Sequence, residues 1–435
     1  MEIHDKLFEL WQEYVDCLVI SNQWLKVPLF YVMCSILLQG HFDDGGKRRP
    51  MREHFLAIQQ SRSGKGEILK AMIEMIDFFN TRSGEKLYQT HYASNELNPQ
   101  TLQGGYEDRL IRDNEKKKSN VERIFVPGML SSYHVLAFGE ARNILSPQGK
   151  WGDIKSLLLN ALDDNTPIGP TARKDLDEKG ELPTFMPISS ICAGATLEKQ
   201  YNIDLQMSGL MQRFLFSYKN ISHKERAVIN DGIARMGSSG GIDETLPMRH
   251  EFYDAYNSVK HPVKVVFENL SSVKDDYIEY KNEQLQKMDY TFAKGDKGDV
   301  IQAFVTSSYV HDKKVAAITC ALEGKEEVEF EHYKRAVDVT CMTIQSALDM
   351  LEINSTIGLP TDFKKRMKVV ERFLRAKPNS PKGDIVQYLM NNIKREEWDL
   401  GINKTNKFID SLEEKGMVRV IRGDKNSKKY CVRVM

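Results

Sequence analysis

The chain has 435 residues, of which 41% are hydrophobic and 28% charged, and its formal net charge is zero. This composition is that of an ordinary globular protein long enough for two or three domains. The longest apolar run, residues 27–38, is too short to cross a bilayer and has no signal-peptide cleavage site, so we expect a cytoplasmic protein that contacts no membrane. The six cysteines form no Cys-x-x-Cys pair and no Cys/His ligand spacing, which argues against structural zinc.

The zero net charge conceals an uneven distribution. Residues 362–433 contain 19 lysines and arginines against 10 aspartates and glutamates, a net charge of +9. The rest of the chain therefore carries −9. A basic module at the end of an acidic body indicates a protein that contacts a polyanion through that module.

In chain order, the first region is residues 1–49, which we expect to be helical. Apolar residues such as Leu7, Trp11 and Leu18 lie three to four positions apart, which is the spacing of one helix face. Residues 41–50 contain Gly-Gly and Pro, which predict a loop.

The second region, residues 50–235, alternates short apolar runs with helical patterns, which predicts an α/β domain. Its candidate strands are five apolar runs at 54–60, 87–93, 134–140, 186–195 and 213–218. A Gly/Ser-rich linker at 235–243 then leads into the mostly helical region 236–355. A second linker, 354–362, leads into the basic module 361–435.

The first candidate strand is followed by a loop and a helix start that could bind phosphate. A phosphate-binding loop has the pattern G-x-x-x-x-G-K-[ST], whereas this chain has Gln59 at the first position and Gly66 after the lysine. Main-chain N–H groups at a helix N-terminus and one positive charge are what phosphate needs. Since Gly66 lacks the hydroxyl that normally contacts Mg²⁺, the metal would be held by water, phosphate and other side chains. The candidate phosphate-binding residues are Ser61, Arg62, Ser63, Gly64, Lys65, Gly66 and Glu67.

Three later segments extend this pattern. The third candidate strand ends in Glu140, with Gly139 where nucleotide hydrolases usually have an aspartate. The fourth ends near Thr196, and it is followed by a Gly-x-x-x-Arg-Phe-x-Phe segment that contains Arg213.

Lys65, Glu140, Thr196 and Arg213, in this order, resemble the P-loop ATPase modules (AAA+ and RecA-like) of phage, plasmid and mobile-element replicative helicases. The similarity is to the primase-helicase and minichromosome-maintenance-like kind, covers roughly residues 50–350, and is most specific at the arginine segment. The chain departs from the family pattern at Gln59, Gly66 and Gly139, which bears on metal binding and turnover.

The resemblance implies ATP and Mg²⁺ as cofactors and a role for each matched residue. Main-chain amides of 61–67 would cradle the phosphates, with Lys65 on the β/γ oxygens. Glu140 would orient the attacking water, and Thr196 would contact the γ-phosphate or that water. Arg213 would act on the ATP of a neighbouring subunit, which implies a homo-oligomer, a hexameric ring; such arginines contribute ~10³–10⁵ in rate. Lys313 and Lys314 follow the core and form either a second phosphate sensor or a solvated helix face.

The basic module is predicted to be a winged helix. Helices at about 364–376, 382–391 and 403–415 precede two alternating segments joined around Asp-Lys-Asn-Ser, which predict a hairpin. The third helix of such a module lies in the major groove and the wing contacts phosphate, although some winged helices bind only proteins. The candidate DNA-binding residues are Lys404, Lys407, Arg419, Arg422, Lys425, Lys428 and Lys429.

We therefore expect an α/β fold with a P-loop core, helical flanking regions and a C-terminal winged-helix domain. The expected function is that of an ATP-dependent DNA helicase or translocase in replication of a phage or mobile element, with single-stranded DNA in the ring and duplex at the winged helix. One alternative is a replication initiator or helicase loader that uses ATP as a switch and hydrolyses it weakly. The other is a transcriptional regulator with a vestigial ATPase core.

Overall fold

The structure is a computed structural model of the chain. It describes residues 2–18, 22–59, 63–93, 99–113, 118–139, 152–163, 166–168, 184–196, 209–219, 221–222, 224–229, 245–267, 270–288, 296–354, 361–392, 402–414, 418–422 and 428–432. The chain divides into two compact units, one of residues 1–288 and 302–349, the other of residues 289–301 and 350–435.

Strands and helices alternate through most of the described chain. The strands are β1 His41–Asp44, β2 Lys47–Pro50, β3 Phe55–Gln59, β4 Thr90–Ala93, β5 Gly104–Asp113, β6 Lys118–Pro127, β7 Val135–Phe138, β8 Ser190–Thr196, β9 Leu215–Ser217, β10 Lys264–Val266, β11 Ser380–Pro381, β12 Val418–Arg422 and β13 Lys428–Val432. The helices are α1 Ile3–Cys17, α2 Gln23–Leu38, α3 Lys65–Ser83, α4 Pro99–Gln103, α5 Met129–Ser132, α6 Gly152–Leu162, α7 Leu246–Asn257, α8 Leu270–Gln286, α9 Asp296–Leu322, α10 Phe330–Asn354, α11 Thr361–Ala376, α12 Lys382–Asn392 and α13 Ile402–Glu414.

A five-stranded sheet, all parallel, forms the centre of the first unit. Its strand order is β4-β7-β8-β3-β9. Four of the strands lie within predicted apolar runs and β8 extends one residue beyond the run 186–195, so those predictions and the α/β class are confirmed. Leu56 and Ile58 on one face and Phe55 and Ala57 on the other are all buried, as expected for a parallel sheet covered on both sides.

The N-terminal helices are part of the same core as the sheet. α2 packs against α3, β3 and β9. Trp11, Phe30, Phe55 and Met72 belong to one buried cluster. Residues 1–49 thus contain two helices, as predicted, and α2 packs against the sheet.

The prediction of a loop at 41–50 is wrong, because β1 and β2 form a hairpin there. Its two turn residues, Gly45 and Gly46, have φ of 62° and 82°. Two consecutive residues with positive φ make the tight turn whose twist matches antiparallel strands, so the glycines mark a hairpin. The hairpin β5–β6, whose two strands have ten residues each, was also not predicted.

The predicted helical region 236–355 contains α7 to α10 among its described residues, with the short strand β10 beside β1. A buried ion pair between Lys281 and Asp312 lies between α8 and α9. Tyr277 donates to Asp312 at 2.7 Å, and Lys281 also donates to Ser308 at 2.7 Å. These contacts compensate the two buried charges.

The second compact unit contains the basic module. α11, α12 and α13 are followed by the β12–β13 hairpin, which β11 extends to three strands in the order β11-β13-β12. The three predicted helices and the hairpin are thus confirmed as elements. Their core consists of apolar side chains from all three helices and the hairpin, among them Leu374, Leu389, Ile409, Leu412 and Tyr430.

Candidate functional site

The described part of the segment between β3 and α3 consists of Ser63 and Gly64. Gly64 caps α3 with φ 82° and ψ 0°, a left-handed conformation that favours glycine. Lys65 is the first residue of the helix. Ser61 and Arg62 lie outside the described residues.

Gln59, at the first position of the phosphate-loop pattern, has a role in packing. Its side chain is fully buried. Asn22 donates to Gln59 Oε1 at 3.1 Å, and Gln59 Nε2 donates to Ser217 Oγ at 3.2 Å. The glutamine therefore connects the start of α2 to β9.

Lys65 and Thr196, which are 131 residues apart in sequence, are brought together. Lys65 Nζ donates to Thr196 Oγ1 at 3.2 Å, and the lysine is only 8% exposed. A Cβ added at Gly194 would lie 3.4 Å from Lys65 Cδ. Glycine at this position lets the lysine stem lie close against β8.

The other predicted loop residues differ in what their side chains contact. Ser63 is 1% exposed, and its hydroxyl has no hydrogen-bond partner among the described residues. A buried hydroxyl without a partner is unusual in native proteins. A Cβ added at Gly66 would meet no atom within 4 Å, and Glu67 directs its carboxylate to Lys70 at 3.4 Å on the exposed side of α3.

These residues lie at a switch point of the sheet. β3 and β8 are neighbours in the sheet. After β3 the chain crosses to β4, the outermost strand on one side, and after β8 it crosses to β9, the outermost strand on the other side. In open α/β sheets, ligands bind beyond the carboxyl ends of strands at such a point. Lys65 and Thr196 are located there.

A glycine after the third candidate strand and a tyrosine on the second lie side by side at this edge. A Cβ added at Gly139 would lie 2.2 Å from the hydroxyl oxygen of Tyr92 on β4. The tyrosine therefore occupies the space in which an aspartate at position 139 would begin. Sequence reasoning missed Tyr92, because only the strand order shows that β4 lies beside β7 and so brings Tyr92 next to Gly139. Glu140 lies outside the described residues.

The described part of this edge has a lysine and a threonine but no cluster of metal-ligating side chains. Among the described residues, no group of three or more His, Cys, Asp or Glu side chains could hold a metal ion. Gly66 has no hydroxyl and Gly139 has no carboxylate. We therefore derive no step through a metal ligated by these residues.

Arg213 lies at the amino-terminal ends of the strands, here called the amino edge. Lys65 lies beyond their carboxyl-terminal ends, here called the carboxyl edge. Arg213 is part of the 3-10 turn Met211–Arg213 that precedes β9, and Leu215 is level with Phe55 at the start of β3. Arg213 therefore lies near the amino-terminal ends of β3 and β9, whereas Lys65 follows the carboxyl-terminal end of β3. The two side chains therefore lie at opposite ends of the strands.

The Arg213 side chain is held by contacts within the chain. Its Nε donates to Asp163 Oδ1 at 2.9 Å and Nη2 donates to Asp163 Oδ2 at 3.3 Å. Nη1 donates to the Gly209 carbonyl at 2.8 Å. This two-point contact with a carboxylate fixes the plane of the guanidinium. The Arg213 side chain as a whole is 33% exposed.

The turn that carries Arg213 is tied to β3 through a buried histidine. His311 Nδ1 donates to Glu53 Oε2 at 2.9 Å, and His311 Nε2 donates to the Gln212 carbonyl at 3.0 Å. Burial lowers the pKa of His311, but the Glu53 charge, its hydrogen bond and the Gln212 carbonyl outweigh burial and raise the pKa. Both ring nitrogens face acceptors, so we assign the imidazolium form.

Lys313 and Lys314 are engaged at this same amino edge. Lys313 Nζ donates to Asp44 at 2.7 Å, and the buried Lys314 donates to the Arg52 carbonyl at 2.9 Å. Because residue 52 precedes β3, neither lysine is near the phosphate loop. The alternative of a solvated helix face is wrong for Lys314.

The predicted DNA-binding residues lie on α13 and the hairpin. Lys407 on α13 and Lys429 on β13 are exposed. Lys404, Arg419, Arg422 and Lys428 occupy the same elements, but only their main chain is described, and Lys425 lies outside the described residues.

Comparisons of the sequence with protein-family models and with curated proteins found no match. No helix within the described ranges has both the length and the apolar character needed to span a bilayer.

Proposed function

We propose that this chain is an ATPase of the phosphate-loop class that acts on DNA as a helicase or translocase. The observation that carries the proposal is the contact of Lys65 with Thr196 beyond the carboxyl ends of two neighbouring central strands. A buried lysine at a helix start, a left-handed glycine and a buried hydroxyl without a described partner at Ser63 form a cradle for phosphate.

In this proposal the site hydrolyses the β–γ phosphoanhydride of ATP. A water oxygen bonds to the γ-phosphorus, the bond to the bridging oxygen breaks, and ADP leaves. Glu140 orients this water, which is the role that the resemblance assigns to the residue, and the water proton leaves with the phosphate product. Lys65 stabilises negative charge on the β and γ oxygens, and Thr196 orients the γ-phosphate. Mg²⁺ bound to the nucleotide would supply further charge neutralisation.

The proposal includes a ring of subunits because Arg213 is at the wrong edge to act on its own subunit. An arginine that is 33% exposed and held flat by Asp163 is suited to contact the γ-phosphate in a neighbour's site. The subunit number that the resemblance implies is six.

For the basic module, we propose a winged helix that binds duplex DNA. The order of three helices and a hairpin, the net charge of +9 and the exposed Lys407 and Lys429 support this assignment. Single-stranded DNA would pass through the ring.

The test is ATP turnover with and without single-stranded DNA, followed by displacement of a labelled strand from a forked duplex. We expect single strands to stimulate turnover and ATP to drive displacement. Absence of nucleotide binding by the folded chain contradicts the proposal.

One observation favours a second function, an initiator or loader that uses ATP as a switch. Tyr92 fills the space of the absent carboxylate at Gly139, which predicts slow hydrolysis. Tight ATP binding, slow turnover and no strand displacement would identify this function.

A further inference from the structure

Tyr92 shares the edge and the face of the sheet on which Lys65 lies. It is opposite Ala137, which is opposite Cys192, which is opposite Phe55. Paired residues of a parallel sheet point to the same face, and every second residue does so again. Tyr92, Gly139, Gly194 and Thr196 therefore project to one face, and Gly194 shows that it is the face of Lys65.

The hydroxyl of Tyr92 extends from the edge strand towards the site. It reaches the Cα side of Gly139 at the end of β7, where a Cβ would be 2.2 Å away. β7 is the neighbour of β8, which carries Thr196. The hydroxyl is thus about one strand spacing, ~4.8 Å, from the strand of Thr196.

Tyr92 is also unusual in how it is exposed. A tyrosine that only packs in an apolar core has a buried ring, whereas Tyr92 is 41% exposed. Its hydroxyl lies beside Gly139, which has no side chain to contact it. A tyrosine hydroxyl is a donor as well as an acceptor.

We propose that Tyr92 is a further residue of the nucleotide site, and that its hydroxyl donates a hydrogen bond to the γ-phosphate of a bound nucleoside triphosphate. The inference rests on the proposed ATPase function. It explains why position 139 is glycine, since any side chain there would displace the hydroxyl.

The experiment compares the full-length chain with Tyr92→Phe, which keeps the ring and removes the donor. We expect turnover to fall roughly 10²-fold, as for the loss of one preorganised donor. ADP affinity should not change, whereas ATP affinity should fall by about tenfold, because only ATP has the γ-phosphate. A residue that only packs the sheet would not change the ratio of the two affinities.

Gly139→Ala tests the same hydroxyl without altering it. The added methyl group would push Tyr92 aside, so turnover should fall about as much as in Tyr92→Phe. The double variant should lose no more than either single variant, because both remove one interaction. Tyr133→Phe is the matched control, since Tyr133 precedes β7 at the opposite edge of the sheet.

Wild-type turnover and an unchanged ATP-to-ADP affinity ratio in Tyr92→Phe would overturn this inference alone, provided that Lys65→Ala abolishes nucleotide binding. If Lys65→Ala also binds nucleotide normally, the proposed function fails together with it. Should Tyr92→Phe not fold, as judged by its melting transition, Gly139→Ala decides: wild-type turnover in that variant overturns the inference.

Discussion

The two edges of the central sheet differ in what their polar side chains contact. At the amino edge, Glu53, His311 and Arg213 make hydrogen bonds or ion pairs within the chain. At the carboxyl edge, the Ser63 hydroxyl is buried without a described partner, and Gly139 has no side chain. Both edges have a buried polar atom without a described partner, Ser63 Oγ at the carboxyl edge and His54 Nε2 at the amino edge, so it is the glycines at the carboxyl edge that leave room for a ligand.

Arg213 combines features of both edges. It is held by Asp163 within its own chain, yet its side chain is 33% exposed. The comparison therefore predicts that substitutions at the carboxyl edge affect nucleotide binding. Substitutions at the amino edge should affect either stability or, at Arg213, turnover in an assembly.

The largest effect is expected for Lys65→Ala, which removes the positive charge at the phosphate loop. ATP binding and turnover should fall to background while the melting temperature stays near that of the wild type. Nucleotide titration and ATP turnover measure this. Lys70→Ala is the matched control, because Lys70 is on the same helix with its side chain 54% exposed. Equal nucleotide affinity in the two variants would exclude the site.

Arg213→Ala should bind ATP but hydrolyse it ~10³–10⁵-fold more slowly, because the charge that stabilises the transition state comes from this residue. Mixing it with Lys65→Ala should restore part of the turnover at mixed interfaces, where one subunit supplies the loop and the other the arginine. Subunit exchange is first established by co-purification of differently tagged chains. With exchange shown, absence of recovery contradicts action between subunits.

His311→Ala should instead reduce stability, because it leaves the Glu53 carboxylate buried without its partner. Breaking a buried ion pair costs about 3–5 kcal/mol. Denaturant unfolding measures the change. Lys313→Ala is the control from the same helix, since its pair with Asp44 is partly exposed and contributes roughly 0–1 kcal/mol. A similar loss of unfolding free energy in both variants would show that the Glu53–His311 pair stabilises the fold no more than an exposed ion pair does.

The His311 prediction has a pH dependence of known sign. Its raised pKa means that the stabilisation is fully present below the unfolded-state histidine value of about 6.5 and is lost as pH rises through the higher native pKa. The difference in unfolding free energy between wild type and His311→Ala should therefore narrow as pH rises. His54, Arg52 and Lys314 also face this pair, and burial lowers the pKa of His54, so only the difference between the two proteins isolates His311.

The smallest effect is expected in the basic module. Lys407→Ala and Lys429→Ala should each weaken duplex binding across all sequences. Each should also reduce the slope of log affinity against log salt by about 0.9, the contribution of one phosphate contact. Lys368→Ala, on α11 and exposed, is the control outside the third helix and the hairpin. Unchanged slopes at 407 and 429 would favour a module that binds protein.

Much of the secondary structure could be predicted from the sequence. Four of the five sheet strands, β3, β7, β8 and β9, are buried on both faces and therefore read as continuous apolar runs, whereas the edge strand β4 is partly exposed. The helices of the basic module and its hairpin were predicted by periodicity and turn residues. The hairpin at 41–50 was missed because its glycines were read as a loop rather than as a tight turn with positive φ.

The pairing of Lys65 with Thr196 was expected only through the order of motifs, and it is now seen as a 3.2 Å contact. Gln59 was read as a departure from the phosphate-loop pattern, whereas its role is to connect Asn22 and Ser217. Neither partner could be chosen from sequence spacing, because they lie 37 and 158 residues away.

The sequence by itself determined which segments become strands and helices and which of them carry glycine, lysine and arginine. Local backbone preference and the period of apolar residues suffice for that. Only the tertiary structure decided that Tyr92 faces Gly139 and that Arg213 is at the opposite edge from Lys65. Strand order is set by packing between residues far apart in sequence, and no local pattern encodes it.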